Sequence, residues 1–281
     1  MRLLTRNIPA TCEIALLGDT HEGSATCYHD GIEAALDWVA AKRNRYFIHM
    51  GDEIDAICTD DKRYQHIPGV DPIPLRQAKA VVDQFRRVRT RGLVWLWGNH
   101  PEKLQRFGNL TRDIVCKELG IPYGTWTCKL RLMTGDRQVL KMFLVHGYRN
   151  LRMYSQAKDE EQQQANLMAK LKRALAKKAG DCLVMAMGHT HKLIVVPPTK
   201  KLILQDDGES INQTYLSQGD GAADYIEPDR RWYVNTGSYI KMYRIGVDSY
   251  AERAGYDPIE LGHAVMKIRK GRLETIEKVY A

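Results

Sequence analysis

Seven side chains able to bind a metal ion stand just beyond short apolar runs of this sequence: Asp19, His21, Asp52, Asn99, His146, His189 and His191. Neutral imidazole suits zinc, iron, nickel and their neighbours, while carboxylate suits harder ions such as manganese. Two aspartates, one asparagine and four histidines therefore fit a pair of transition-metal ions better than calcium. Two such ions about 3.5–4 Å apart stabilise both the attacking and the leaving oxygen of an in-line displacement.

Each residue alone has an ordinary explanation. A histidine after a strand is usually a structural hydrogen-bonder, and Gly-Asp or Gly-Asn-His is a common turn. The recurrence is what carries information. Ile14 to Leu17 runs into Gly18-Asp19-Thr20-His21, and Tyr46 to Met50 into Gly51-Asp52-Glu53-Ile54-Asp55. Leu93 to Trp97 runs into Gly98-Asn99-His100, Met142 to Val145 into His146-Gly147, and Leu183 to Met187 into Gly188-His189-Thr190-His191. Ligands of open α/β sheets bind beyond the carboxyl ends of strands, so five such endings predict convergence on one site. Glycine ahead of the polar residue lets the backbone turn sharply and come close. Asp19 and His21, like His189 and His191, are two apart, which in extended backbone sends both side chains to one side. His29, His49, His66 and His263 lie outside the pattern and read as structural.

The elements that must hold these endings alternate short apolar runs with helical stretches, an α/β pattern. Helices are expected over Gly31 to Arg43 (Ile32, Leu36, Val39 and Ala40 at helical spacing) and Leu75 to Arg91 (Ala78, Val81, Val82, Phe85 and Val88). Two more are expected over Leu110 to Leu119, closed by Gly120, and over Lys158 to Lys178. Thr127 to Met133 and Val139 to Val145 flank a turn-forming Thr134-Gly135-Asp136-Arg137 and read as a hairpin. His263 to Ile268 and Glu274 to Val279 read as a closing hairpin, with short strands at Ile194 to Val196, Lys201 to Leu204 and Trp232 to Val234. No repeat or linker divides residues 1–281, which read as one domain; Gln205 to Arg231, polar and rich in Asp and Gly, reads as an inserted loop.

Composition narrows the class further. The chain has 281 residues, 44% hydrophobic and 27% charged, ordinary values for a globular protein. No apolar run reaches the roughly 20 residues needed to span a bilayer, and Pro9 and Glu13 interrupt any leader-like segment. The protein therefore reads as unexported and cytoplasmic, with its six scattered cysteines as reduced core fillers. A net charge of +8 and a pI near 9.1 favour encounter with polyanions.

Taken in order, the blocks Asp19-x-His21, Gly51-Asp52-x-x-Asp55, Gly98-Asn99-His100, His146 and Gly188-His189-x-His191 resemble the signature of the calcineurin-like metallophosphoesterase superfamily. Asn235-Thr236-Gly237-Ser238 also resembles a segment common near the end of that family's domain. The resemblance implies a four-layer α/β/β/α sandwich around a dinuclear centre. By position, one metal would be held by Asp19, His21, Asp52 and His191, and the other by Asp52, Asn99, His146 and His189, with Asp52 and a water or hydroxide bridging them. Manganese is the first expectation, with iron, zinc or nickel also compatible. His100 would protonate the leaving oxygen or steady the phosphate, oriented by Asp55. Two positions depart from the family pattern: Pro101 stands between His100 and the acidic Glu102, and Ala56 replaces the arginine of the Ser/Thr phosphatases. The second departure argues against a phosphoprotein substrate.

The substrate class is read from the surroundings of these blocks. Basic clusters occur at Arg86, Arg87, Arg89 and Arg91, at Arg149 and Arg152, and at Lys170 to Lys178. Tyr148 and Arg149 directly follow His146, and pairing of Arg with phosphate or stacking of Tyr on a base would make them substrate contacts. The leading expectation is a phosphodiesterase acting on DNA, RNA or nucleotides. A small-molecule phosphomonoesterase is the alternative within hydrolases, and a non-catalytic metal-binding scaffold the alternative outside them.

Overall fold

The computed structural model describes residues 1–281 except 62, 63, 65, 68 and 148–156. In chain order its elements are β1 (Arg2–Asn7), β2 (Cys12–Leu17), α1 (His29–Ala40), β3 (Arg45–His49), α2 (Pro74–Phe85), β4 (Gly92–Trp95) and α3 (Asn99–Glu102). Then come α4 (Lys117–Leu119), β5 (Thr127–Thr134), β6 (Arg137–Val145), α5 (Glu160–Leu175), β7 (Val184–Met187), β8 (Leu193–Val196), β9 (Lys201–Asp206) and β10 (Ile211–Leu216). The chain closes with β11 (Trp232–Thr236), α6 (Tyr250–Arg253), β12 (Gly262–Arg269) and β13 (Arg272–Tyr280).

Two sheets carry the architecture, one of five strands in the order β13-β12-β2-β3-β4 and one of six in the order β1-β5-β6-β7-β11-β8. Within the first, β2, β3 and β4 run parallel. Within the second, β6, β7 and β11 run parallel. Five of these six parallel strands are those whose endings carry the metal-competent residues, so each sheet presents its set at one edge.

Alternating side chains decide what each face meets. Ile14, Leu16, Ile48, Val94 and Met266 of the first sheet pack against Leu130, Leu132, Met142, Leu144, Val184 and Val234 of the second. The opposite face of the five-stranded sheet, through Ala15, Leu17, Phe47 and Trp95, is covered by Ile32, Leu36 and Val39 of α1 and by Ala78, Val81, Val82 and Phe85 of α2. The outer face of the other sheet, through Phe143, Met185, Met187 and Tyr233, is covered by Leu167, Leu171 and Leu175 of α5. Helix, sheet, sheet and helix thus form the four-layer α/β/β/α sandwich.

Several expected elements change shape. The helix expected from Leu75 to Arg91 ends at Phe85, and Arg86–Arg91 tighten into a 3-10 segment leading into β4, a common way for a helix to end. Thr111–Cys116 adopt the wider π form ahead of α4, and Gly120 closes the helix at φ 68° as expected. β1, for which the sequence gives no signal, pairs in parallel with β5 from Arg2↔Cys128 to Asn7↔Met133. The stretch 205–231 holds more than loop. β9 reaches Asp206, β10 pairs with it antiparallel, and Pro228–Arg230 forms a 3-10 turn. No described helix is long and apolar enough to cross a membrane.

Candidate metal centre

The five strand endings meet. Asp19 and Asp52 are tied by backbone bonds, with Asp19 N–H donating to Gly51 O at 3.0 Å and His21 N–H to Asp52 O at 3.1 Å. Across the two sheets, His189 N–H donates to Asp19 Oδ2 at 3.0 Å, and His146 Nδ1 lies 2.8 Å from Met50 O. His100 N–H donates to Asp52 Oδ1 at 2.8 Å. Asp19, His21, Asp52 and His146 are almost completely buried.

Two groups of donor atoms result. Asp19, His21 and His191 form one, and Asp52, His146 and His189 the other, each within the span a single ion could bridge. Asp52 also joins His21 and His100 in an overlapping group, so its carboxylate stands between the two. Asn99 Oδ1 belongs with the second, 3.0 Å from His146 Nε2 and 2.6 Å from His189 Nδ1.

The hydrogen-bond arithmetic of both groups leaves room for a cation. His146 commits Nδ1–H to the Met50 carbonyl, so Nε2 of the neutral ring carries a lone pair. That lone pair faces Asp52 Oδ2 at 3.2 Å and Asn99 Oδ1 at 3.0 Å, three acceptors with no donor among them. In the first group, His21 Nε2 and His191 Nε2 stand 3.2 Å apart, and the buried Asp19 Oδ1 has no hydrogen-bond partner. Buried acceptors that face one another need a proton or a metal between them. A proton can also fill that place: burial pushes His146 down, but the Asp52 carboxylate outweighs it and raises the imidazole to about 9. Asp52 itself is driven well below the usual carboxylate range, its burial opposed chiefly by the charge of His146. His189, half-buried and beside His146, is pushed down to about 4, chiefly by desolvation. The donor set therefore fits a pair of divalent ions.

Backbone strain marks the same residues. Eight described residues other than glycine have positive φ, and Asp19 (51°), His21 (50°), Asp52 (52°), His189 (69°) and His191 (57°) are five of them. Such conformations cost of order 1–3 kcal/mol each and collect at functional sites. This corrects the expectation of extended backbone at Asp19-x-His21 and His189-x-His191: these residues are left-handed, with Asp19 and His21 in one donor group and His189 and His191 divided between the two. The glycines act as expected at two places. A side chain on Gly98 would overlap the Asp52 carboxylate, and Gly51 turns at φ 100° with His146 against it.

His100 and Asp55 also come together. His100 Nδ1 lies 2.6 Å from Asp55 O and 3.3 Å from Asp55 Oδ1. His100 is raised above its ordinary pKa because Asp52 and Asp55 outweigh its burial. Asp55 in turn is held well below the usual range, its burial offset by His100 and His21.

Supporting residues that sequence reasoning left without a role now have one. Asn235 Nδ2 donates to Thr190 Oγ1, pinning the residue between His189 and His191. Ser238 Oγ donates to Asp19 O at 3.1 Å. Their signal was the Asn-Thr-Gly-Ser segment, which showed that the stretch mattered but not what it touches. His49 lies beneath the centre, stacked on Trp95 at 4.0 Å between ring centroids.

The centre opens into a cleft of about 760 Å³. Of the expected substrate-side cations, Arg86 pairs with Asp83, Arg87 with Glu33 and Asp37, and Arg91 with Arg43 O, and none of them lines the cleft. Lys172 on α5 pairs with Asp229. Tyr148, Arg149 and Arg152 lie outside the described residues.

Among solved structures, the chain is similar to a metallophosphoesterase from Sphaerobacter thermophilus (15% identity, 96% of this chain and 89% of that chain, TM-score 0.36). It is similar to Vps29 of Chaetomium thermophilum (10% identity, 95% and 97%, TM-score 0.35). It is also similar to the NAD nucleotidase of Haemophilus influenzae (13% identity, 96% of this chain and 50% of that chain, TM-score 0.40). No family model and no curated protein matches the chain. At TM-scores below 0.5 these likenesses do not bear on what the site does.

Proposed function

We propose that the protein is a metal-dependent phosphoesterase of the calcineurin-like kind, with Asp19, His21, Asp52 and His191 holding one metal and Asp52, Asn99, His146 and His189 the other. The observation that carries this reading is the convergence of three atoms able to bind a cation, with His146 Nε2 3.2 Å from Asp52 Oδ2 and 3.0 Å from Asn99 Oδ1. Bound divalent ions, with manganese the first candidate, would lower the pKa of water and offset charge on the phosphoryl oxygens.

The chain's own residues supply the rest. Hydrolysis adds water across one P–O bond: the water oxygen joins phosphorus, and the departing alcohol oxygen takes up a proton. We assign that proton to His100, whose ring the Asp52 and Asp55 carboxylates raise above its ordinary pKa and so bias toward the protonated form. Asp55 orients the ring by accepting Nδ1–H on its backbone carbonyl, which leaves Nε2 to hold the proton that is given up. Asp52 fixes the loop of His100 by accepting its backbone N–H.

A phosphodiester is the finer reading, with a nucleotide as its expected form. The net charge of +8 favours polyanions, and Tyr148 and Arg149 follow His146 directly in sequence. The test is turnover of bis-p-nitrophenyl phosphate and of p-nitrophenyl phosphate by protein loaded in turn with manganese, zinc, iron and nickel. Faster cleavage of the diester is expected. Faster cleavage of the monoester would make the protein a phosphomonoesterase. Metal binding with no hydrolysis of any phosphate ester would replace the enzyme with a scaffold.

A further inference from the structure

The part of the cleft lining that lies outside the metal-competent residues has a chemistry of its own. It is built from Ile57, Ile67, Val70, Met242, Val247 and Tyr256, with Ala25, Ile240 and Ala251 between them. The first five are half-buried and Tyr256 is 50% exposed, so apolar surface is presented to the cavity rather than sealed in the core. Much of this wall comes from the excursion between β11 and β12, which folds back over the centre. Lys241 N–H donates to Thr26 O at 2.8 Å, and Tyr28 N–H donates to Tyr239 O at 2.7 Å.

Cations are scarce there. Among the described lining residues, Lys241 is the only one apart from the histidines, and its ammonium sits 4.0 Å from the centre of the Tyr28 ring. Asp248 lines the same wall and is paired with Arg253 at 2.6 Å. A polynucleotide needs a positively charged groove that follows its backbone. Phosphates laid along Ile57, Val70, Met242 and Val247 would lose hydration with nothing to replace it. A volume of about 760 Å³ instead falls in the range of pockets that enclose one small organic ligand.

We infer that the substrate is a monomeric phosphate ester whose organic group is single, compact and largely apolar or aromatic, lodged against Ile57, Val70, Met242, Val247 and Tyr256, and not a nucleic-acid strand. This rests on the phosphoesterase reading for the phosphate half of the ligand, and names the chemistry of the other half.

The test holds the reaction constant and varies the group. Manganese-loaded protein is given p-nitrophenyl phosphodiesters whose second substituent is methyl, phenyl or naphthyl, with the same leaving group throughout. kcat/KM should rise at least about tenfold from methyl to naphthyl, mainly through KM, because the larger group buries more apolar surface. Val247→Asp, and separately Met242→Asp, should bring the naphthyl-to-methyl ratio down toward one, with thermal unfolding and manganese content checking that each variant folds. Calorimetric binding of naphthyl phosphonate against methyl phosphonate gives the same contrast without turnover. A protein that binds the two phosphonates with tenfold preference but cleaves nothing would sink the phosphoesterase reading alone. Equal treatment of methyl and naphthyl ligands, or salt-sensitive inhibition by a single-stranded oligonucleotide stronger than that by naphthyl phosphonate, would overturn this inference and leave the phosphoesterase reading standing.

Discussion

His146 Nε2 stands 3.2 Å from Asp52 Oδ2, an imidazole from the end of β6 in one sheet against a carboxylate from the loop after β3 in the other. The pair exists only because the two sheets stack with their strand ends aligned. It also sets the electrostatics of the centre, raising His146 to about 9 and depressing Asp52. A divalent ion that displaces the shared proton would use the same two atoms.

Asp52 belongs to the donor group of His146 and His189 and also groups with His21 of the other, so Asp52→Ala should weaken both metals together. The expected loss of manganese affinity exceeds the roughly 10–100-fold typical of losing a supporting residue. Metal analysis after dialysis against a series of free manganese concentrations reads it. Retention of both ions at parental affinity would remove Asp52 from the bridging position.

His100→Ala should lower kcat by about 10²–10⁴-fold while leaving manganese content unchanged. If His100 gives a proton to the leaving oxygen, the loss should be larger for a phenyl ester than for a p-nitrophenyl ester, whose leaving group needs less help. Asp55→Asn should cost less, because the closer contact from His100 is to the Asp55 backbone carbonyl. Equal losses on both esters would move His100 from proton donor to phosphate contact.

Gly98→Ala places a methyl group against the Asp52 side chain and backbone. Overpacking of this kind costs about 1–3 kcal/mol, and here it displaces a metal-competent carboxylate as well. Urea unfolding should show the lost stability and metal analysis a lowered manganese content. A variant matching the parent in both would mean that Asp52 can shift freely.

Burial pushes His263 down to about 4 from 6.5, with Tyr239 OH 2.7 Å from its Nδ1 and no partner at Nε2. The unfolded chain therefore takes up this proton first as the pH falls. The associated stability is complete above pH 6.5 and is lost on acidification toward about 4. The whole effect is at most about 3 kcal/mol. His263→Asn should flatten the stability–pH curve across that window in urea titrations, relative to the parent; an unchanged slope would mean that the buried ring does not titrate as described.

The candidate site was more legible than the fold that carries it. Asp19, His21, Asp52, Asn99, His146, His189 and His191 were identifiable because few residue types bind metals, and because a glycine and a short apolar run precede most of them. The apolar stripes of α1 and α2 were legible for a related reason: helical spacing is a local property of the chain. β1 was not, since Arg2–Asn7 is a strand only through its pairing with Cys128–Met133. The break after Phe85 was also hidden, because the apolar spacing continues through Val88.

The sequence by itself determined the chemistry on offer: which atoms could bind metal, in what order, and at the ends of which strands. Only the tertiary structure decided how those atoms meet. Left-handed backbone at Asp19, His21, Asp52, His189 and His191 is strained locally and is held by contacts from residues far along the chain. The same holds for the cleft. Arg86, Arg87 and Arg91 looked available to a polyanion until folding brought Asp83, Glu33, Asp37 and the Arg43 carbonyl against them. Ile57, Val70, Met242 and Val247, separated by up to 190 positions in numbering, became one apolar wall. Charge and residue type are written along the chain, whereas the partner that neutralises a charge or completes a surface is fixed only when the chain closes on itself.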